Sequence, residues 1–266
     1  MTAKYVVITL AIGKSFEEMG KFTHPLMKRY AEKCNAEFIV LDQRKLDKDL
    51  GLVTYEKFQV FDYLDGTFDK VLFIDTDVVV CPNAPNLFEL CPPGVFAAAN
   101  EEKYSMSKAH KLITQRVLGA VDWTRPYFNS GVMIFDRKHK DMFNPENPIL
   151  RKWISCEENN DHIMSDQPIL NYLVNHENYD FIDLGYKFNR TRVLKDTHNR
   201  FKSYFIHYAG PSGHRYGARL TQIKSDCEVA SSSTLFFLSK NFSIFRWTAD
   251  RFCLSFIEYV YRKIKP

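Results

Sequence analysis

Within the first 80 residues, three apolar runs alternate with two segments of helical spacing, and this alternation limits the fold more than any other feature of the chain. The run "KYVVITLAIG" is rich in β-branched residues, shows no polar alternation and stops at Gly13, the pattern of a strand buried on both faces. "SFEEMGKFTHPLMKRYAEKCN" follows as a helix, with Ser15 and Glu18 at the spacing of a capping box. "AEFIVLD" reads as a second strand and "YEKFQVFDYL" as an amphipathic second helix. Past the turn "DGTFDK", "VLFIDTD" reads as a third strand. Strand–helix–strand crossovers imply a parallel sheet, and open α/β sheets take their ligands at the carboxyl ends of the strands. The third strand reaches that edge with two carboxylates, Asp75 and Asp77.

Lone buried carboxylates are among the costliest groups to fold around. In extended chain, residues i and i+2 point the same way, so Asp75 and Asp77 can converge on one point. Two hard oxygen donors suit Mg²⁺ or Mn²⁺ shared with a substrate phosphate. Residues 187–219 carry eight Lys or Arg against one Asp, which suits an anionic ligand such as a diphosphate or, equally, a solvated basic face. Over the whole chain the formal charge is only +4 and no Lys/Arg block occurs, so no nucleic-acid partner is expected. Six cysteines without a CxxC pair point to reduced thiols in a cytoplasmic protein, Cys81 and Cys91 being the pair that could bond in principle. The apolar amino-terminal run is too short for a signal peptide or membrane span.

Further along, "VFAAAN" reads as a short strand, "EEKYSMSKAHKLITQRVLGAVDW" as an irregular or helical excursion, and "FNSGVMIFD" as another strand. "PENPILRKWISCEEN" reads as a helix. A second helix opens at "SDQPILNYLVNH", with Ser165 as its cap and Pro168 in its first turn. "YDFIDLGYKFN" and "YFIHYAG" are the last strands expected, and "EVASSSTLFF" resembles a linker. These readings give one domain over residues 1–220 and a carboxyl-terminal helical appendage over residues 221–266. The segment 241–266 is aromatic and basic, fit to lie on an anionic bilayer at the cytoplasmic face or to pack on the domain with its bases outward.

Four segments, "DKVLFIDTDVVV", "YFNSGVMIFD", "SDQPILN" and "FIHYAG", occur in an order that resembles the retaining nucleotide-sugar glycosyltransferases of family 8, the group of glycogenin and bacterial lipopolysaccharide galactosyltransferases. The resemblance covers residues 5 to 210. It implies one GT-A (Rossmann-like) α/β domain, with a mixed, mostly parallel sheet flanked by helices. The implied activity is metal-dependent transfer of a hexose from a UDP-sugar to a hydroxyl of a glycan, glycolipid or glycoprotein, with retention of anomeric configuration. By the same resemblance Asp75, Asp77 and His207 hold Mn²⁺ (or Mg²⁺) against the donor phosphates, with Thr76 between the aspartates, and Lys57 meets the diphosphate or donor sugar. Thr9, Ala11 and Ile12 form the base pocket, with Tyr55 or a neighbour stacking on uracil. Asn100 and Glu101 stand where relatives carry a sugar-contacting acid, and Asn129, Ser130 and Gly131 wrap the donor sugar. Asp166 binds a sugar hydroxyl. Gln167 lies where a nucleophile would be sought, and since an amide is a poor one, front-face substitution is implied. Relatives follow the histidine with Gly and then Lys-Pro-Trp. In "HYAGPSGHRYGARL" Gly210 remains, and His214, Arg215 or Arg219 must replace the lysine. Two other readings compete: a phosphatase of the haloacid dehalogenase type with Asp75 as nucleophile, and a non-catalytic sugar-binding domain.

Overall fold

The computed structural model describes residues 3–46, 52–103, 107–156, 165–191, 197–209 and 216–242. Strand β1 (Tyr5–Leu10) pairs in parallel with β2 (Ala36–Leu41) on one side and β3 (Lys70–Ile74) on the other. Helix α1 (Lys14–Lys33) makes the first crossover, and a 3₁₀ segment, Val53–Leu64, lies in the second. Beyond β3 come β4 (Val78–Val80), α2 (Leu87–Leu90), β5 (Phe96–Asn100), α3 (Ser107–Leu118) and β6 (Phe128–Asp136). Then follow α4 (Pro148–Ile154), α5 (Asp166–His176), β7 (Phe181–Asp183), β8 (Arg190–Thr191), β9 (Phe205–His207), α6 (Tyr216–Ser231) and α7 (Ser233–Asn241). The main sheet runs β2-β1-β3-β6-β5-β7. Its only antiparallel pairings among the described residues are those of β6 with β3 and β5.

Side-chain alternation sorts the core to the two faces of this sheet. Val7, Leu72, Ile74 and Ile134 point to one side, where Met27 and Tyr30 of α1 and Ile223 and Cys227 of α6 cover them. Val6, Ile8, Val71, Phe73 and Phe135 point to the other, against Phe58, Trp153, Ile169 and Leu173. Because β1, β3 and β6 are covered on both faces, their sequences had to be almost unbroken apolar runs.

Two features of register position the site. After β3 the chain turns through Asp75, Thr76 and Asp77 into β4, which pairs antiparallel with β9 in a small sheet ordered β4-β9-β8. Val78 faces His207 in that pairing, so the histidine sits beside Asp77, whose carbonyl accepts the Tyr208 N–H at 3.1 Å. On the other side, β5 and β6 lose register: Ala98 faces Met133 while Ala99 faces Asn129, so residues 130–132 leave the β5 ladder in a bulge. The freed segment turns to β3's end, where the Asp75 N–H donates to the Gly131 carbonyl at 2.8 Å.

Several sequence expectations need correction. The linker-like "EVASSSTLFF" is helical, shared between α6 and α7, and α6 runs through position 220 while burying Ile223, Cys227 and Ala230 beside α1. Its small residues carry no clear apolar stripe, and its helicity rests on tertiary packing. Helix α1 begins at Lys14 behind Gly13, whose φ of 93° a side chain would resist, so Ser15 lies inside the first turn instead of capping it. The excursion after β5 is in part helical, as one of its two readings had it, and contains α3, whereas α4 ends at Ile154, earlier than the expected helix. Cys34, Cys81, Cys91, Cys156 and Cys227 are free thiols, and burial pushes the Cys91 thiol up to about 11. Among the described residues no helix is long and apolar enough to cross a membrane. The aromatic, basic stretch from residue 243 to 266 lies outside the described residues, as do Gly210, His214 and Arg215.

Candidate active site

Asp75, Asp77 and His207 offer donor atoms that all lie within 4.8 Å of one another. His207 Nε2 stands 3.3 Å from Asp77 Oδ1 and 3.8 Å from Asp75 Oδ2. Neighbouring donors around an octahedral ion with bonds of about 2.1 Å are about 3 Å apart, so a cation would draw these three groups inward. Two carboxylate oxygens and an imidazole nitrogen are a suitable donor set for Mn²⁺ or Mg²⁺. The residues present therefore fit such an ion. Asp77 also ion-pairs with Arg219 of α6, whose guanidinium burial draws below its ordinary pKa against the pull of Asp75. Gly131 makes room for the histidine, because a Cβ at this position would overlap Cε1 and Nδ1 of the His207 ring.

Beside this cluster lies a second one. Lys57, on the 3₁₀ segment and 3 % exposed, reaches Asp75 Oδ1 at 3.0 Å and Asp166 Oδ2 at 2.7 Å. Its Nζ also donates to the Ser130 carbonyl at 3.3 Å and lies 5.2 Å from the centre of the Phe73 ring. Burial alone would lower the lysine pKa, but the Asp166 and Asp75 carboxylates outweigh it and hold the ammonium above its ordinary value. Asp166 opens α5, where the helix dipole favours a carboxylate, and accepts a 2.8 Å bond from Ser130 Oγ as well. Ser165 stands at the N-cap position without a side-chain capping bond.

Buried amides join these carboxylates to the far wall. Gln167 accepts from the Ser130 N–H and donates to Glu101 Oε2, both at 3.3 Å. Asn129 donates to the same Glu101 oxygen at 3.1 Å and accepts from Asn189 Nδ2 at 2.7 Å, while Asn189 Oδ1 meets His207 Nδ1 at 2.8 Å. The two clusters, with Asn129 and Gln167, wall a cleft of about 520 Å³, closed on its apolar side by Leu10, Phe16 and Val53, while Glu101 and Asn189 stand behind it in a small recess.

Of the residues singled out in the sequence, Lys57, Asp75, Thr76, Asp77, Asn129, Ser130, Asp166, Gln167 and His207 line this cleft. Thr76 does so while its hydroxyl bonds to His24 Nε2 at 2.8 Å. Thr9 is fully buried, and its Oγ1 has no hydrogen-bond partner among the described residues. Ala11 lines a separate groove with His24 and Phe38, and Ile12 packs against the core. Asn100 lies in a small recess behind Asn129, its Oδ1 held by the Glu102 N–H at 2.9 Å. Tyr55 is 1 % exposed and packs near Phe58, so the aromatic that faces the cleft is Phe16. Phe16 and Asn189 were missed. Phe16 follows a strand end in the first turn of a helix, a readable position, whereas Asn189 in a basic stretch gave no signal.

The fold of this cleft is similar to that of solved glycosyltransferases. It matches the crystal structure of the galactosyltransferase LgtC in complex with donor and acceptor sugar analogs with a TM-score of 0.56, at 17 % identity over 83 % of this chain and 95 % of that one. A glycosyltransferase involved in the glycosylation of the major capsid of PBCV-1 matches with a TM-score of 0.51, at 12 % identity over 83 % of this chain and 98 % of that one. At such identities the likeness speaks to fold, and the fold is GT-A, that of a glycosyltransferase. No curated protein sequence matches the chain. Residues 6–212 match glycosyl transferase family 8, and the chain belongs to that family. Membership displaces the phosphatase reading of Asp75.

Proposed function

We propose that the enzyme transfers a hexose from a UDP-sugar to a hydroxyl of a glycan or glycolipid acceptor, with a divalent cation bound by Asp75, Asp77 and His207. The observation that carries this reading is the convergence of those three side chains, from a strand end and a strand over a hundred residues away, at the wall of one cleft. A bound Mn²⁺ or Mg²⁺ would supply Lewis-acid neutralisation of charge on the departing diphosphate. The chain's own groups do the remaining work. Lys57 holds Asp75 and Asp166 at fixed separation, and Arg219 takes the place of the lysine that relatives carry after the histidine, offering a bidentate fork to a phosphate. Phe16 provides a ring for the base.

Retention through front-face substitution is the mechanism these contacts favour. Gln167 has an amide where a nucleophile would stand, and that amide is tied to Ser130 and Glu101. The Asp166 carboxylate is committed to Lys57 and Ser130. Neither side chain is poised to attack an anomeric carbon, which leaves the leaving phosphate to help deprotonate the acceptor hydroxyl.

Calorimetry of UDP binding with Mn²⁺ present tests the proposal. Wild-type protein is expected to bind UDP only with the cation, and Asp75→Ala and Asp77→Ala are expected to lose that binding while remaining folded. Undiminished UDP binding in both variants would overturn it. Mn²⁺-dependent hydrolysis across a set of UDP- and GDP-sugars then identifies the donor.

A further inference from the structure

The buried amides beside the cleft form a directed chain. Glu101 Oε2 belongs to a carboxylate, which can only accept, so the Asn129 group facing it at 3.1 Å is the amide nitrogen. Asn129 Oδ1 therefore faces the opposite way. A second anchor demands the same orientation, since the Gly131 backbone N–H, which can only donate, reaches Asn129 Oδ1 at 2.9 Å. That oxygen must then accept from Asn189 Nδ2 at 2.7 Å, which turns Asn189 Oδ1 toward His207. An amide oxygen 2.8 Å from His207 Nδ1 requires the proton to sit on Nδ1. Glu101, Asn129, Asn189 and His207 are 8 %, 7 %, 4 % and 3 % exposed, so water is poorly placed to replace any link.

We infer that Asn189 is a positioning residue: it passes the polarity set by Glu101 and the Gly131 N–H to His207, fixing the ring as the Nδ1–H tautomer and turning Nε2 to Asp75 and Asp77. The inference rests on the proposed cation site for its purpose, though not for its geometry. A histidine that ligates through one nitrogen depends on a partner at the other to fix tautomer and ring orientation, and losing that partner typically weakens metal affinity about 10- to 100-fold. Here the partner is a neutral amide whose direction is dictated two links away, from the wall that Gln167 shares. Any change that reverses Asn129 would therefore reverse Asn189 and offer His207 an N–H where it needs an acceptor.

The test uses the full chain without metal and reads the proton on Nδ1, because Nε2, 3.3 Å from Asp77 Oδ1 and 3.8 Å from Asp75 Oδ2, has carboxylates of its own to donate to. Long-range ¹H–¹⁵N correlation, with the His207 signals identified by their loss in His207→Gln, is expected to report a protonated Nδ1. Asn189→Leu keeps the shape of asparagine without its polar end. It is expected to shift or mix the tautomer and to weaken Mn²⁺ binding, followed as free Mn²⁺ by electron paramagnetic resonance, about 10- to 100-fold. Asn189→Asp restores an acceptor toward Nδ1 and is expected to restore the Nδ1–H form, which a purely packing role would not predict. Wild-type His207 with no proton on Nδ1, or an Asn189→Leu protein that keeps both the Nδ1 proton and the Mn²⁺ affinity, would overturn the inference. Wild-type protein that binds no Mn²⁺ yet carries the Nδ1–H form would refute the cation reading and support the relay.

Discussion

Replacing Lys57 by methionine removes one ammonium from between two carboxylates and leaves the stem in place. At separations of 3.0 Å to Asp75 and 2.7 Å to Asp166, each attraction amounts to about 6 kcal/mol at an effective dielectric constant of about 20. Desolvation of the buried ammonium offsets much of that, and breaking a buried pair by deleting one partner costs about 3–5 kcal/mol. Lys57→Met is therefore expected to lose about 3–5 kcal/mol in urea unfolding followed by circular dichroism. The double variant Lys57→Met/Asp166→Leu is expected to lose less than Lys57→Met alone, because one orphaned carboxylate has gone. The sign of the pH dependence follows from the raised lysine pKa. Its contribution is complete below 10.5, the ordinary lysine value, and disappears as pH climbs through the higher folded value. A Lys57→Met protein as stable as wild type, or a double variant weaker than the single one, would refute the account of Lys57 as a buried bridge.

Two further predictions concern the neighbours of this bridge. Gly131→Ala places a methyl on the His207 ring and is expected to abolish Mn²⁺ binding by electron paramagnetic resonance with the circular dichroism spectrum unchanged; wild-type affinity would contradict the packing. Burial lowers His24 from 6.5 to about 4, so the folded protein resists its protonation and stability falls as pH drops from 6.5 toward 4. Allowing for the ring's partial exposure, the loss is about 1–2 kcal/mol, and His24→Gln, which keeps a donor for Thr76, is expected to flatten that part of the unfolding profile.

The parts of this molecule that could be read in advance are those whose sequence answers to one local requirement. β1 and β3 are buried on both faces, and their apolar runs say so without help from distant residues. Asp75 and Asp77 announced themselves by ending such a run two residues apart. His207 was legible only through its place in "HYAG", since nothing local tells a cation ligand from a structural histidine. A helical appendage was legible, but its junction between α6 and α7 was not, because serine and alanine there mimic a linker and the packing on α1 is decided by tertiary contact. Side-chain direction was not legible either: Tyr55 turns inward to the core, and Phe16, on the first turn of α1, is the aromatic that faces the cleft. Arg219 was one of three candidates for the missing lysine, and only the course of α6 brings it to Asp77.

The bulge in β6 has a consequence for how such an enzyme can change its substrate. Three consecutive residues freed from the β5 ladder, or at its edge, serve both ends of the cleft: Asn129 and Ser130 stand with Glu101 and Asp166, while Gly131 holds the Asp75 backbone and clears the His207 ring. If the proposed function holds, recognition of the sugar and support of the cation share one short segment and cannot drift apart within it. On the proposed function, a lineage adapting to a different sugar would have to leave this segment and Glu101, which orients Asn129, untouched and make its changes on the apolar side of the cleft, at Leu10 and Val53, which take no part in the polar chain to His207.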